Sequence, residues 1–152
     1  VAYMRGLQDP RRLPELPVYV PAPVVVVVSE SDKQAALAAA GGDAELAGYI
    51  ASGDKLFHST CVSCHGKAGV GVKGNGKALA DNEFVQSLDD DGLLAFIRQG
   101  RSPTDPKNTT GIQMPPKGGN PALSEDDLLD IIAYLRTLQK GAANATSNAA
   151  DK

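Results

Sequence analysis

The 152-residue sequence has no Trp and carries only four Tyr and three Phe. A core so short of large side chains needs help to be stable, and a buried apolar cofactor would supply it. A strong charge of either sign is also missing, the formal net charge being −3. Nucleic acid selects a basic surface, so that class of partner is set aside. No run approaches the ~20 apolar residues that a membrane-spanning helix needs. The longest, Val24 to Val28, is five valines just after Pro21 and Pro23, which reads as extended chain. No secretory signal pattern follows Val1, so any signal peptide is expected to have been removed or to lie outside this chain. No internal repeat and no convincing strand alternation is present, and the expected fold class is all-α.

What is present divides the chain into three expected parts. Residues 1–42 form an arm. Pro10, Pro14, Pro17, Pro21 and Pro23 hold its first 30 residues extended, because each removes an N–H donor and biases its predecessor away from helix. Such an arm suits docking on partner subunits. Ser31 or Asp32 is expected to cap a short Ala-rich helix ending at Gly41-Gly42. Residues 43–141 form the main domain, and residues 142–152 a flexible tail.

Within the domain a helix is expected after Asp43, with Leu46, Tyr49, Ile50, Gly53 and Phe57 on one face. Gly53 is costly inside a helix, which implies close approach of another backbone. Residues 66–81 and 101–121 read as loops, with a short helix at Asn82–Ser87 and another started by Asp89 or Asp90 and stopped by Gly100. The last helix has the clearest signal. Ser124 caps it, Glu125 to Asp127 complement its positive end, and Leu128, Ile131, Ile132, Leu135 and Leu138 form its apolar stripe up to the stop at Gly141.

The only two cysteines sit in Cys61-Val62-Ser63-Cys64-His65. Thiols at this spacing can add across the two vinyl groups of one haem, and the adjacent His65 then falls under the iron as proximal ligand. A structural zinc site needs four ligands, and only His58 adds to these three, all within eight residues. A thioredoxin-like site wants a preceding strand, and a plain disulfide leaves His65 without a reason. A zinc or disulfide module therefore stands as the third-ranked alternative.

From about residue 43 to 140 the sequence resembles the class I c-type cytochromes. The resemblance rests on Gly53-Asp54-Lys55-Leu56-Phe57, Cys61 to Gly66, Gly76-Lys77-Ala78-Leu79, Asn82-Glu83-Phe84, Met114-Pro115-Pro116 and Ala133-Tyr134-Leu135-Arg136. It implies about four short helices around one covalent haem c, with the first helix crossing the last so that Gly53 and Phe57 meet Tyr134 and Leu135. One departure stands out: residues 66–81 lack the proline whose carbonyl often accepts the proximal His N–H, which leaves the acceptor for His65 open. In layout the chain is also similar to the mono-haem cytochrome subunit of the quinol-oxidising alternative complex III.

A sixth iron ligand must be His or Met, and Met4, Met114 and His58 are the ones free. Met4 lies in the arm, and His58 is too close to Cys61 to wrap around the ring. Met114, in a proline-rich loop between motif and last helix, is the expected ligand. His65 and Met114 would then fill both axial positions, leaving an electron carrier and not an enzyme. Lys67, Lys73, Lys77, Lys107 and Lys117 are expected to rim the haem edge and steer an acidic redox partner. The expected setting is a subunit of a membrane-associated respiratory or photosynthetic complex, with no spanning helix of its own, on the periplasmic or extracytoplasmic side. A freely diffusing carrier is the nearest alternative, and a gas-binding or peroxidase-like haem protein the next.

Overall fold

The computed structural model describes residues 19–139. Residues 1–18 of the arm with Met4, the Gly141 stop and the 142–152 tail lie outside the described residues. Among the described residues there are six α-helices, two 3-10 turns and no strand. They are α1 (Glu30–Ala36), α2 (Ala44–Thr60), α3 (Val62–His65), α4 (Glu83–Ser87), α5 (Asp90–Gln99) and α6 (Glu125–Thr137).

Side-chain caps set the starts of these helices. Asp43 accepts from the N–H groups of Glu45 and Leu46 to begin α2, Asn82 does the same for α4, and Asp89 accepts from Gly92 to begin α5. Ser124 opens α6 through a reciprocal box with Asp127. The first helix starts earlier than the sequence suggests. Ser29 is its cap, paired in the same kind of box with Asp32, and the helix stops at Ala36 well before Gly41-Gly42. Asp32, expected as a cap, instead serves three residues inside the helix and also meets Lys55 of α2 at 2.9 Å. The Ser29 hydrogen bonds and then Lys55 hold its carboxyl at about 2.

The core lies where α2 crosses α6. Leu56, Phe57, Leu128, Ile131, Ile132 and Leu135 are buried there, with Val85, Leu93, Ile97 and Leu123 from the flanking elements. Gly53 makes the crossing possible, because a Cβ on it would run into the carbonyl of Asp130 and the N–H of Ile131. The close approach expected at Gly53 is therefore present, one turn earlier on α6 than Tyr134 and Leu135. Phe57 does meet Tyr134, with ring centroids 5.3 Å apart. Tyr49 departs from the expected apolar face: it is exposed and donates its hydroxyl to Glu45 at 2.7 Å, one helical turn away.

Arg136 fastens α4 and α5 to α6. Its guanidinium donates to the carbonyls of Val85 (2.9 Å) and Leu88 (2.7 Å) and to the Asp90 carboxylate (2.9 Å). The two carbonyls belong to the frayed end of α4, where backbone acceptors have no helical partner. Buried Gln139 completes the fastening by accepting from the Asn82 N–H and donating to the Leu79 carbonyl. On the other side, α1 packs on α2 through Ala36 and Leu37, and Val24 and Val26 of the extended run lie against the main core. Val25 and Val27 point outward and are exposed.

Candidate functional site

One large cleft, with a volume of about 650 Å³, opens between α2, α4, α5 and the two long loops. Cys61, Cys64 and His65 line it from the α2–α3 corner, Met114 from the second loop, and Phe57, Leu93, Ile97, Leu123, Leu128, Ile131 and Leu135 from the core. The volume is that of a pocket for a large cofactor, and the walls are mostly apolar. The sequence-predicted residues thus share one cavity although they span more than 50 positions. His58 does not line it: this ring is exposed, with Nδ1 on the Asp54 carbonyl at 2.8 Å.

The His65 ring is held from behind. Its Nδ1 lies 2.8 Å from the Lys77 carbonyl. A carbonyl only accepts, so Nδ1 carries a proton, and in the neutral ring the lone pair is then on Nε2, where it could ligate a metal. Lys77 thereby supplies the acceptor that the missing proline left open. The loop that delivers it turns back at Val72–Gly76 and is tied to the motif, Gly71 N–H donating to the His65 carbonyl at 2.6 Å and the Asn75 amide to Ser63 at 3.1 Å. Gly76 sits so close to Cys64 that a Cβ there would strike the Cys64 carbonyl.

Met114 is pinned through its backbone. It pairs with Arg101 in a two-bond antiparallel bridge, Arg101 N–H to Met114 O at 2.8 Å and Met114 N–H to Arg101 O at 3.0 Å. Gly100 lets the two segments touch, since its φ is +70° and a Cβ on it would meet the Met114 carbonyl. Pro115 and the turn Pro116–Gly119 then carry the chain to α6.

The thiols are both free, and burial pushes Cys61 up to about 11, with Cys64 adding to the rise. In the metal-free protein a thiol so far above neutral pH is a weak nucleophile. Among the described residues no three or more His, Cys, Asp or Glu side chains are grouped as a metal site. The expected lysine rim is only partly formed. Lys77 and Lys107 are exposed on the cavity wall, Lys67 and Lys73 are exposed but away from it, and Lys117 is turned inward to donate to the Leu123 carbonyl at 2.6 Å.

Residues 48–135 match the family described as cytochrome c oxidase, cbb3-type, subunit III. The chain belongs to this family. Its domain is a class I c-type cytochrome that carries covalent haem c, and the apolar cleft beside two thiols and an imidazole fits that group. The chain is also 30% identical over 104 residues to the cbb3-type cytochrome c oxidase subunit CcoP of Azospirillum brasilense, and 31% identical over 106 residues to that of Azospirillum sp. (strain B510). These alignments cover 67% and 68% of this chain but 35% and 36% of the relatives, so the chain spans about a third of the length of the curated relatives it matches. These matches are to cbb3-type subunits and lend no support to the alternative complex III subunit in particular. No solved structure gives a significant match. Among the described residues no helix is long and apolar enough to cross a membrane.

Proposed function

We propose that this cbb3-type cytochrome domain transfers single electrons through one haem c held by Cys61 and Cys64 and ligated axially by His65 and Met114. The observation that carries the reading is the His65 ring, locked by the Lys77 carbonyl with Nε2 free, in the same cavity as both thiols and the Met114 side chain. Bound there, the haem supplies a one-electron ferrous–ferric couple, and a thioether ligand favours the ferrous form. The protein's share is rigidity and exclusion. Gly100 and the Arg101–Met114 bridge fix the distal loop, the Lys77 carbonyl fixes the proximal ring, and the apolar wall keeps water from the metal. With His65 and Met114 both holding the haem, no site for a substrate would remain, and the domain would serve as a carrier instead of a catalyst.

The domain is read as residues 43–141, preceded by the arm and followed by the tail. Its relatives' description as oxidase subunits supports a place in a respiratory oxidase; a position on the extracytoplasmic side of the membrane and contact of the arm with neighbouring subunits are part of the same proposal. Lys77 and Lys107 are the basic groups beside the cleft for an acidic redox partner. Carbon monoxide binding tests the distal assignment. The reduced wild type is expected to bind it slowly and weakly, M114A fast, and H58A like the wild type. Fast binding by the wild type would favour a gas-binding or peroxidase-like haem protein instead.

A further inference from the structure

Of the polar side chains in and around the cleft, Arg98, Arg101 and Asn108 are candidates to face the carboxylates that a haem carries on its periphery. The structure separates them. Arg98 is more than half exposed and paired with Glu125 at 2.9 Å, on the outer side of α5. Asn108 does line the cleft but is spent on its own loop, its amide donating to the carbonyls of Ser102 (3.0 Å) and Ile112 (2.8 Å) and its oxygen accepting from Thr110 and Gly111. Arg101 is different. It lines the cleft, its side chain is 18% exposed, and its Nε is fully buried with no hydrogen-bond partner.

The surroundings of that guanidinium hold it in place without satisfying it. Its carbon stands 4.7 Å from the ring centroids of both Phe84 and Phe96, which themselves pack edge to face at 4.9 Å. Aromatic faces attract a cation but accept no conventional hydrogen bond. The nearest carboxylate, Asp105, is 3.6 Å from Nε, beyond hydrogen-bond length. Nε is enclosed, whereas the part of the side chain that stays accessible lines the cleft, where an arriving carboxylate would meet a charged donor already held in place.

We infer that Arg101 is the residue that holds a haem propionate, with Phe84 and Phe96 fixing the guanidinium in position beforehand. This rests on the haem reading given above. It also assigns Arg101 two tasks at one place, since its backbone pins Met114 while its side chain lines the cleft. A cation paired with a propionate would favour the ferrous over the more positive ferric state, so Arg101 would act as a positioning residue that raises the reduction potential.

The test uses the matured holoprotein and its R101Q, R101K and R98Q variants. In R101Q the reduction equilibrium is expected to shift threefold to tenfold toward the ferric form, tenfold being about 59 mV for one electron. The propionate bending mode in resonance Raman spectra is expected to move as well. R101K keeps the charge and loses the fork, so its potential should stay near wild type while the propionate mode still moves. R98Q should match the wild type in both. The weak far-red iron–methionine band is read alongside: its absence from the wild type would fault the His/Met reading, independently of Arg101. With that band present throughout, an unmoved propionate mode in R101Q and R101K would overturn the assignment, even if the potential fell. Loss of the band in both Arg101 variants would also overturn it, making the side chain a brace for the Met114 loop. If R101Q fails to mature, R101K carries the test through the same mode.

Discussion

Two glycines on α2 should respond to the same substitution with opposite signs. At Gly53 an added methyl has no room, because it would meet the Asp130 carbonyl and Ile131 N–H, and backbone cannot swing aside as a flexible side chain can. Overpacking a rigid site costs ~3 kcal/mol, the upper part of the usual range. Replacing a mid-helix Gly by Ala returns ~1 kcal/mol through backbone entropy. The net for G53A is a loss of ~2 kcal/mol, which for a domain near 100 residues lowers the Tm by roughly 8–16 °C. At Gly48, one and a half turns earlier, nothing lies within 4 Å of the added atom. Only the entropy gain remains there, so G48A should raise the Tm by about 4–8 °C. Thermal unfolding of both holoproteins, followed by far-UV circular dichroism, makes the comparison. A G53A protein as stable as wild type or more so would refute the α2–α6 backbone contact, and a destabilised G48A would refute the open space at Gly48.

Two further outcomes follow from other parts of the molecule. Arg136→Ala leaves the Val85 and Leu88 carbonyls without their charged donor, so R136A should lose about 2–3 kcal/mol in a denaturant titration. A loss under 0.5 kcal/mol would mean that α4 is held by other contacts. Tyr134 is raised from 10.0 to about 12, first by burial and then by the neighbouring Asp54 carboxylate. A raised acid favours the folded state while it stays neutral, so its contribution is fully present below pH 10 and is lost as the pH climbs toward 12. Y134F keeps the ring against Phe57 and removes the ionisation, and its stability should fall less steeply over that interval; an identical alkaline slope would remove Tyr134 from the account.

Much of this architecture was legible in the sequence because it is set locally. Helix starts follow from side chains that reach their own backbone, as Ser124 and Asp89 do, and the proposed haem attachment rests on five adjacent residues. The same local signal exists at Ser29 with Asp32, and the nearer candidates Ser31 and Asp32 obscured it. Tyr49 lies at the right helical spacing for the core, yet its hydroxyl finds Glu45 and it stays outside. What could not be read is contact across loops. The Lys77 carbonyl reaches His65 from 12 residues away through a glycine turn, and only the crowding of Gly76 against Cys64 hints at it. The Arg101–Met114 bridge closes a loop whose prolines announce irregular chain without saying which residues face each other. Lys117 illustrates the limit for charge: its place near Met114 is plain from sequence, and its inward turn onto Leu123 is not.

The visible spectrum of the purified protein, oxidised and then reduced, tests the central claim most directly. The account predicts a sharp low-spin c-type spectrum on reduction and a weak far-red iron–methionine band on oxidation, the joint signature of Cys61, Cys64, His65 and Met114 around one iron. A c-type haem without that band would contradict Met114 as the sixth ligand, and a protein matured with the haem machinery that still carries no covalent haem would contradict the account as a whole.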